Sequence, residues 1–291
     1  MGIDVYAGLM KNVESDYYGN PYEILENIKK GKEKNLDILV GPEWGLNSVP
    51  GVYSKSILKK QRANIALDAM FNAPDYCEYA PRDAKKILEK QVEETGLKYF
   101  DKLPMIPYSE REYNKLVDSL KSHSKNSDMI IFPGTAMFYD QDKRLYNAMP
   151  VLKNGEVIKT LYKFRDGLGS KFNLNNTLFL YPIETQGLSG LAGLELAYGR
   201  DPRIYMDNLK IGVEICADTD VLKKDYNIND LDIHILSSCG NTSTSSAIHK
   251  NGYLLVVDGY LNPEVKVADV SSRKISPSSN ESDLATFELK F

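Results

Sequence analysis

The sequence has few of the residues from which metal sites and disulfide frameworks are built. It contains three cysteines and three histidines, and no Cys-x-x-Cys pair occurs among them. These residues are Cys77, Cys216, Cys239, His123, His234 and His249. An odd number of widely spaced cysteines favours reduced thiols in a reducing compartment. We therefore expect neither a disulfide-stabilised domain nor a metal site.

Long apolar runs and an excess of basic charge are also missing. No apolar run approaches the roughly 20 residues that a membrane-spanning helix needs, and the N-terminus shows no signal peptide. The net charge is −4 and the pI is near 5.6, which does not suggest binding to nucleic acid or to an anionic membrane. We expect a soluble cytoplasmic protein that binds neither, and specialised export stays open.

Short apolar runs alternate with helical patterns. The runs Leu36–Val40, Asp128–Phe132 and Lys210–Ile215 predict buried strands. A capping box, Ser109 followed by Glu112, predicts the start of a helix before the second of them. This alternation indicates an α/β fold with a mixed sheet. The length of 291 residues is compatible with one such domain.

Other segments give weaker signals. Prolines punctuate residues 50–108, which we interpret as an insertion that contains a helix at Ala84–Thr95. The polar and glycine-rich stretch Asp166–Asp201 is long enough to predict a functional or mobile segment, and its glycines precede no clear helix. A short helix is predicted near Ala247–Lys250. The polar tail ends in one strand-like segment, Ala285–Phe291.

Three ionisable residues lie where predicted strands end. Glu43 follows Leu36–Val40, Cys216 follows Lys210–Ile215, and Lys163 ends a hairpin centred on Asn154-Gly155. Strand ends at a loop-rich rim are where α/β folds build their sites. Each residue alone has an ordinary explanation, because cysteine often fills cores and glutamate and lysine are usually solvated. Their combination points to a site.

The segments around these residues resemble three motifs of the nitrilase, or carbon–nitrogen hydrolase, superfamily. The matching segments are Pro42-Glu43 after Leu36–Val40, then Leu145–Ala148 with Asn154-Gly155 and Leu161–Lys163, and finally Lys210–Asp218. The segment His249–Tyr253 is similar to the family's helix end before a late strand. The resemblance implies an αββα sandwich in which helices cover two mixed β-sheets, formed by a single domain over residues 1–291.

The resemblance also implies a chemistry, namely hydrolysis of a non-peptide C–N bond through a thioester intermediate. Cys216 would be the nucleophile and Glu43 the general base. Lys163 and the backbone N–H of Ala217 would stabilise the oxyanion. The substrate would be a small amide or a glutamine or asparagine side chain, with a nitrile less favoured. No metal or organic cofactor is required.

Further site residues are expected around this triad. Family members often add a second glutamate, for which Glu184 and Glu195 are both candidates and Glu195 is preferred. Trp44 either walls the pocket or packs in the core, and Cys239 lies in a loop that would border the pocket. Glu214 lies on a predicted buried strand and needs a structural hydrogen-bond partner.

The chain departs from the family in three places, and other functions stay open. The insertion and the Asp166–Asp201 stretch are longer than expected, and the C-terminal end is shortened, so both a monomer and the usual homodimer remain possible. A papain-like peptidase pairing Cys216 with His234 or His249 is disfavoured, because its cysteine would open a helix early in the chain. The remaining alternative is a catalytically idle binding or scaffold protein.

Overall fold

The computed structural model describes residues 2–11, 21–47, 108–141, 145–165, 190–238, 246–259 and 264–291. The strands in these ranges are β1 (Asp4–Met10), β2 (Ile38–Val40), β3 (Tyr108–Ser109), β4 (Ile130–Phe132), β5 (Ala136–Tyr139), β6 (Leu145–Lys153), β7 (Glu156–Tyr162), β8 (Ile204–Met206), β9 (Leu209–Ile215), β10 (Leu231–Ser238), β11 (Ile248–Asp258), β12 (Glu264–Asp269), β13 (Lys274–Ile275), β14 (Ser279–Asn280) and β15 (Leu284–Lys290). The α-helices are α1 (Pro21–Glu33), α2 (Glu110–Ser124) and α3 (Gly190–Tyr198). None of the helices in these ranges combines the length and the apolar character needed to cross a membrane.

The strands form two mixed sheets. Sheet A has the order β14-β15-β1-β2-β4-β6-β5-β3, with β7 also paired to β6, and sheet B has the order β13-β12-β11-β10-β9-β8. The central strands of each sheet are parallel, β1, β2 and β4 in sheet A and β9, β10 and β11 in sheet B. The outer strands of sheet B pair antiparallel. This is the α/β class with two mixed sheets that the sequence predicted.

The main apolar core lies between the two sheets, because alternate residues of the central strands point inward. Val5, Ala7 and Leu9 of β1 share this core with Ile211, Val213, Ile215, Ile233 and Ile235 of sheet B. Helices α1 and α2 pack on the other face of sheet A, where Ile24, Ile28, Leu116 and Leu120 meet Leu39 and Ile131. Helix α3 adds Leu194 and Ala197 to the core between the sheets. Sheet A is therefore covered on both faces.

Two local predictions are confirmed in detail. Ser109 is the N-cap of α2, and its hydroxyl accepts from the Glu112 N–H while the Glu112 carboxylate accepts from the Ser109 N–H. Strands β6 and β7 form the predicted hairpin. Asn154 and Gly155 between them have φ of +48° and +81°, which suits a tight hairpin turn. The hairpin brings Lys163 to its far end.

Two other predictions are wrong. The helix expected near Ala247–Lys250 is the start of β11, because Ile248 pairs with Leu231 and Asp232 holds His249 at 2.6 Å. The stretch Asp166–Asp201, whose glycines were expected to precede no clear helix, contains α3, which is stabilised by burying apolar residues in the inter-sheet core. Residues 166–189 of this stretch lie outside the described residues. The predicted helix Ala84–Thr95 and nearly all of the 50–108 insertion lie outside the described residues.

The C-terminal tail extends both sheets. Strands β12 and β13 continue sheet B, and β14 and β15 continue sheet A. The longest of these pairings joins β15 antiparallel to β1 from Asp4↔Lys290 to Met10↔Leu284. The sequence predicted only the last of the four strands. The tail therefore joins the two ends of the chain in one sheet.

The loops that follow β2 and β4 approach each other so closely that glycine is required. A Cβ atom added to Gly134 would lie 2.2 Å from the Pro42 carbonyl oxygen, and one added to Gly41 would lie 2.5 Å from the Pro133 oxygen. Gly134 also has φ of +95°, which disfavours other residues. This contact fixes the backbone next to Glu43.

We expect Gly134→Ala to lower the free energy of unfolding by about 3 kcal/mol, since a backbone clash adds to conformational strain. The matched control is Gly199→Ala, which has φ of +80° but only an ordinary 3.6 Å contact and should cost about 1 kcal/mol. Urea unfolding measures both. Equal losses for the two variants would show that the loop contact is not tight.

Candidate active site

The two sheets are joined at the carboxyl ends of their parallel strands. Ser237, near the end of β10 in sheet B, donates its hydroxyl proton to the carbonyl oxygen of Gly41 at 2.9 Å. Gly41 directly follows β2 in sheet A. Because parallel strands present their carboxyl ends at one edge, the loops that carry Glu43 and Cys216 come together there.

The loop that carries Glu43 is held by the backbone and side chain of Thr135. The Trp44 N–H donates to Thr135 Oγ1 at 2.8 Å, and the Leu46 N–H donates to the Thr135 carbonyl at 3.1 Å. Tyr108 then donates its hydroxyl proton to the Leu46 carbonyl at 2.9 Å. Trp44 has φ of +61°, a turn conformation that these contacts impose on a bulky residue. The result is a rigid turn with Glu43 pointing inward.

Glu43 and Lys163 form a buried ion pair. Lys163 Nζ lies 2.6 Å from Glu43 Oε1, and the exposed fractions of the two side chains are 7% and 0%. Asn147 Nδ2 donates to the same oxygen at 3.0 Å. Within the described ranges, Glu43 Oε2 is buried and accepts no hydrogen bond. That oxygen can therefore receive a proton from a reacting group.

Lys163 is held in its charged form. Burial lowers the pKa of Lys163, but the charge and hydrogen bond of Glu43 and the electrostatic interaction with Cys216 outweigh burial and raise the pKa above the ordinary value. Its ammonium group also lies 5.5 Å from the centre of the Trp44 ring, a distance at which the ring face stabilises a cation. The site thus contains a fixed positive charge.

Cys216 begins a 3₁₀ turn, Cys216–Asp218, immediately after β9. Its φ is +44°, an uncommon conformation for a residue with a side chain, and such outliers cluster at functional sites. The half-buried thiol interacts electrostatically with Lys163. A cation near sulfur favours the thiolate, which is the reactive form.

Sequence reasoning assigned no role to Asp218 or Asn147, although both lie in the motif segments. Asp218 is fully buried and accepts hydrogen bonds from Phe164 N, Arg165 N and the Tyr198 hydroxyl. Burial raises the pKa of Asp218 to about 7, although these hydrogen bonds and the charge of Lys163 lower it. The only signal in the sequence was the position of Asp218 beside Cys216 and of Asn147 in the first strand of the hairpin.

The other predicted site residues are placed as follows. Ala217 is half-buried in the turn after Cys216, and Trp44 is buried beside Lys163. Glu195 lies on α3 with 39% of its side chain exposed, 3.7 Å from Arg200. Glu184 and Cys239 lie outside the described residues. The substrate-binding roles of these residues stay predictions.

The prediction of a structural partner for Glu214 is confirmed. Leu222 N–H donates to Glu214 Oε1 at 3.0 Å, and His234 Nε2 lies 3.2 Å from Oε2 without the direction of a good hydrogen bond. His234 Nδ1 accepts from the Ala247 N–H at 3.2 Å. In the described part of the chain, no three His, Cys, Asp or Glu side chains come together to hold a metal ion.

Comparison with known proteins identifies the fold. No protein-family model and no curated protein sequence matches the chain. Nit3 of Saccharomyces cerevisiae, a member of branch 10 of the nitrilase superfamily, superposes with a TM-score of 0.52 at 13% identity, covering 98% of this chain and 90% of Nit3. The chain therefore has the nitrilase-superfamily fold that the motifs predicted.

Two further solved structures agree. A glutamate-to-glutamine variant of the amidase from Nesterenkonia sp. AN1, with acrylamide added at its active-site cysteine, gives a TM-score of 0.54 at 10% identity over 97% of this chain and 92% of the amidase. The glutamine-dependent NAD⁺ synthetase of Acinetobacter baumannii gives 0.50 at 13% identity. The match spans 98% of this chain but 45% of that synthetase.

We expect Lys163→Met to lower the free energy of unfolding by about 3 kcal/mol, because it leaves the Glu43 carboxylate buried without its cation. The double variant Glu43→Gln/Lys163→Met should recover part of this loss, since neither charge remains. Urea unfolding measures both variants.

Lys30→Met is the matched control, because it breaks an ion pair with Asp283 in which both side chains are about one-third exposed. We expect its effect to stay within about 1 kcal/mol. A Lys163→Met variant no less stable than this control would contradict the buried pair.

Proposed function

We propose that the protein is a cysteine-dependent amidase that hydrolyses a non-peptide C–N bond through a thioester intermediate. One observation carries the proposal: Lys163, which lies 2.6 Å from the buried Glu43, also interacts electrostatically with Cys216 where the ends of the two sheets meet. A base, a cation and a nucleophile at one place are what acyl transfer requires.

Acylation begins when Glu43 Oε2 accepts the thiol proton of Cys216 and the sulfur attacks the amide carbon. The C=O electrons move to the oxygen, and the resulting oxyanion is stabilised by the Lys163 ammonium and the Ala217 N–H. The oxyanion then collapses, the C–N bond breaks, and Glu43 returns the proton to the leaving nitrogen. Ammonia or an amine departs and a thioester remains on Cys216.

Deacylation uses the same groups with water as the nucleophile. Glu43 takes a proton from water, hydroxide attacks the thioester carbon, and Lys163 again faces the oxyanion. The C–S bond breaks, Cys216 regains its proton from Glu43, and a carboxylic acid leaves. The net reaction consumes one amide and one water and yields one acid and one ammonia or amine.

Burial makes these few charges effective. Electrostatic interactions strengthen as water is excluded, and donors that are already oriented need no reorganisation during the reaction. Asn147 and Lys163 both bind Glu43 Oε1, which fixes the carboxylate and leaves Oε2 for proton transfer. The arrangement supports one base acting in both half-reactions.

Two neighbours in the fold comparison suggest substrates for a first trial. One is an amidase whose active-site cysteine adds acrylamide, and another is a glutamine-dependent synthetase. Small aliphatic amides and the glutamine side chain are therefore sensible probes for this chain.

A Cys–His peptidase fits the geometry poorly. Strands β9 and β10 are parallel, and His234 lies opposite Gly212, four residues before Cys216, which corresponds to about 13 Å along a strand. His249 is bound to Asp232 at 2.6 Å, near the start of β10, whereas Cys216 follows the end of β9. Neither imidazole is placed to activate the thiol.

The proposal predicts ammonia release from at least one of acetamide, propionamide, L-glutamine and L-asparagine, measured with a coupled ammonia assay. Cys216→Ala should abolish the release, and Glu43→Gln should slow it about 100-fold or more, the usual contribution of a general base. Glu288→Gln on β15 is the control and should behave like the unmodified protein. Full activity in Cys216→Ala would overturn the mechanism.

Iodoacetamide alkylation followed by peptide mapping tests the site without a substrate. Cys216 should react faster than Cys77 and Cys239, and either Glu43→Gln or Lys163→Met should slow it. If Cys216 reacts no faster than the other two cysteines, the chain fits the idle binding protein better than the amidase.

A further inference from the structure

We propose that Asp218 is a positioning residue that, as a carboxylate, fixes the segment after Lys163 to the turn that begins with Cys216. The inference rests on the proposed function, because it concerns how that same site is assembled. Asp218 touches neither Glu43 nor a reacting atom in the mechanism above. Its hydrogen bonds hold the backbone that follows Lys163, and its charge also interacts with the Lys163 cation.

The carboxylate joins two loops that are far apart in the sequence. Its Oδ1 accepts from Arg165 N at 2.5 Å, and its Oδ2 accepts from Phe164 N at 2.8 Å. These two backbone N–H groups directly follow Lys163, and Asp218 lies two residues after Cys216. The contacts therefore set the distance between the chain that carries the cation and the chain that carries the nucleophile.

Helix α3 supplies a third contact. The Tyr198 hydroxyl donates to Asp218 Oδ2 at 2.6 Å, and Tyr198 is fully buried. The Tyr198 ring packs edge-on against Tyr226, whose hydroxyl binds the carbonyls of Leu194 and Gly199 at 2.8 Å each. Asp218 is thereby braced by an element outside both loops.

The donors around Asp218 favour its ionised form. Three donors point at two oxygens, so an asparagine would turn its NH₂ group towards at least one N–H or O–H. A neutral replacement of the same shape therefore loses part of the contact without leaving a cavity. Because burial raises the pKa of Asp218 to about 7, the test is run at pH 7.5, where most of it is ionised.

Positioning and simple electrostatics predict opposite results. Removing a negative charge two residues from Cys216 favours the thiolate and should speed alkylation. Loss of the Lys163 position removes the cation from the sulfur and should slow alkylation. At pH 7.5 an ordinary thiol with a pKa of about 8.5 is about one-tenth thiolate, so the slowing can reach about tenfold.

The experiment is a double-mutant cycle on the full chain that follows Cys216 alkylation by iodoacetamide. We expect Asp218→Asn to slow alkylation about three- to tenfold, and to cause no slowing in the Lys163→Met background, since the residue it positions is then absent. Slowing of the same size in both backgrounds would overturn the proposal, as would faster alkylation in Asp218→Asn.

Amide hydrogen exchange gives a second readout that does not depend on Cys216. Asp218→Asn should reduce the protection of the Phe164 and Arg165 amides. Tyr198→Phe keeps the carboxylate and should slow alkylation less. If Asp218→Asn does not fold, Tyr198→Phe replaces it in both measurements. Unchanged Cys216 alkylation in Tyr198→Phe, together with unchanged protection of the Phe164 and Arg165 amides, would then refute the role of Asp218.

Asp232→Asn is the matched control. Asp232 also accepts a backbone N–H, from Lys210 at 2.7 Å, but it lies at the start of β10, away from the site. It should weaken protection at Lys210 and leave Cys216 alkylation unchanged. The double-mutant cycle needs no turnover, so the two proposals can fail separately. Ammonia release that persists in Cys216→Ala would reject the proposed amidase mechanism. Additive effects of Asp218→Asn and Lys163→Met on alkylation would reject only the positioning role of Asp218.

Discussion

The structure depends on one buried ion pair, between Glu43 and Lys163. Removing two charges from water costs several kcal/mol per ion, and only close contact with well-placed hydrogen bonds offsets that cost. The two residues follow strands β2 and β7 and are 120 positions apart. Strands β4 and β6 lie between β2 and β7 in sheet A, so the pairing of these four strands brings the two charges together and links the site to the folding of the sheet.

The need to bring Glu43 and Lys163 together also explains the unusual backbone around the site. Gly134 and Gly41 allow the loops after β4 and β2 to touch, which fixes the turn in front of Glu43. Ser237 then ties that turn to sheet B, whose strand β9 leads into Cys216. Conformations that would be strained in isolation, such as the positive φ of Cys216, persist because neighbouring contacts determine them.

Local signals predicted the elements that deliver the three central residues. Short apolar runs ended where β2 and β9 end, and Asn154-Gly155 marked the hairpin turn. Tertiary contacts decided the rest: α3 is stabilised by the inter-sheet core, and Ile248 joins β11 through pairing with Leu231. The contacts of Asp218 could not be predicted, since Phe164 and Tyr198 are 54 and 20 positions away.

The difference between local signals and tertiary contacts also explains how short motifs can identify a fold when the sequence as a whole matches no family model. Many combinations of apolar residues fill a core between two sheets, provided that pattern and volume are kept. A buried charge is far more restrictive, because each replacement must supply the same partner at nearly the same distance. The fold can therefore be kept although the overall identity to Nit3 is 13%.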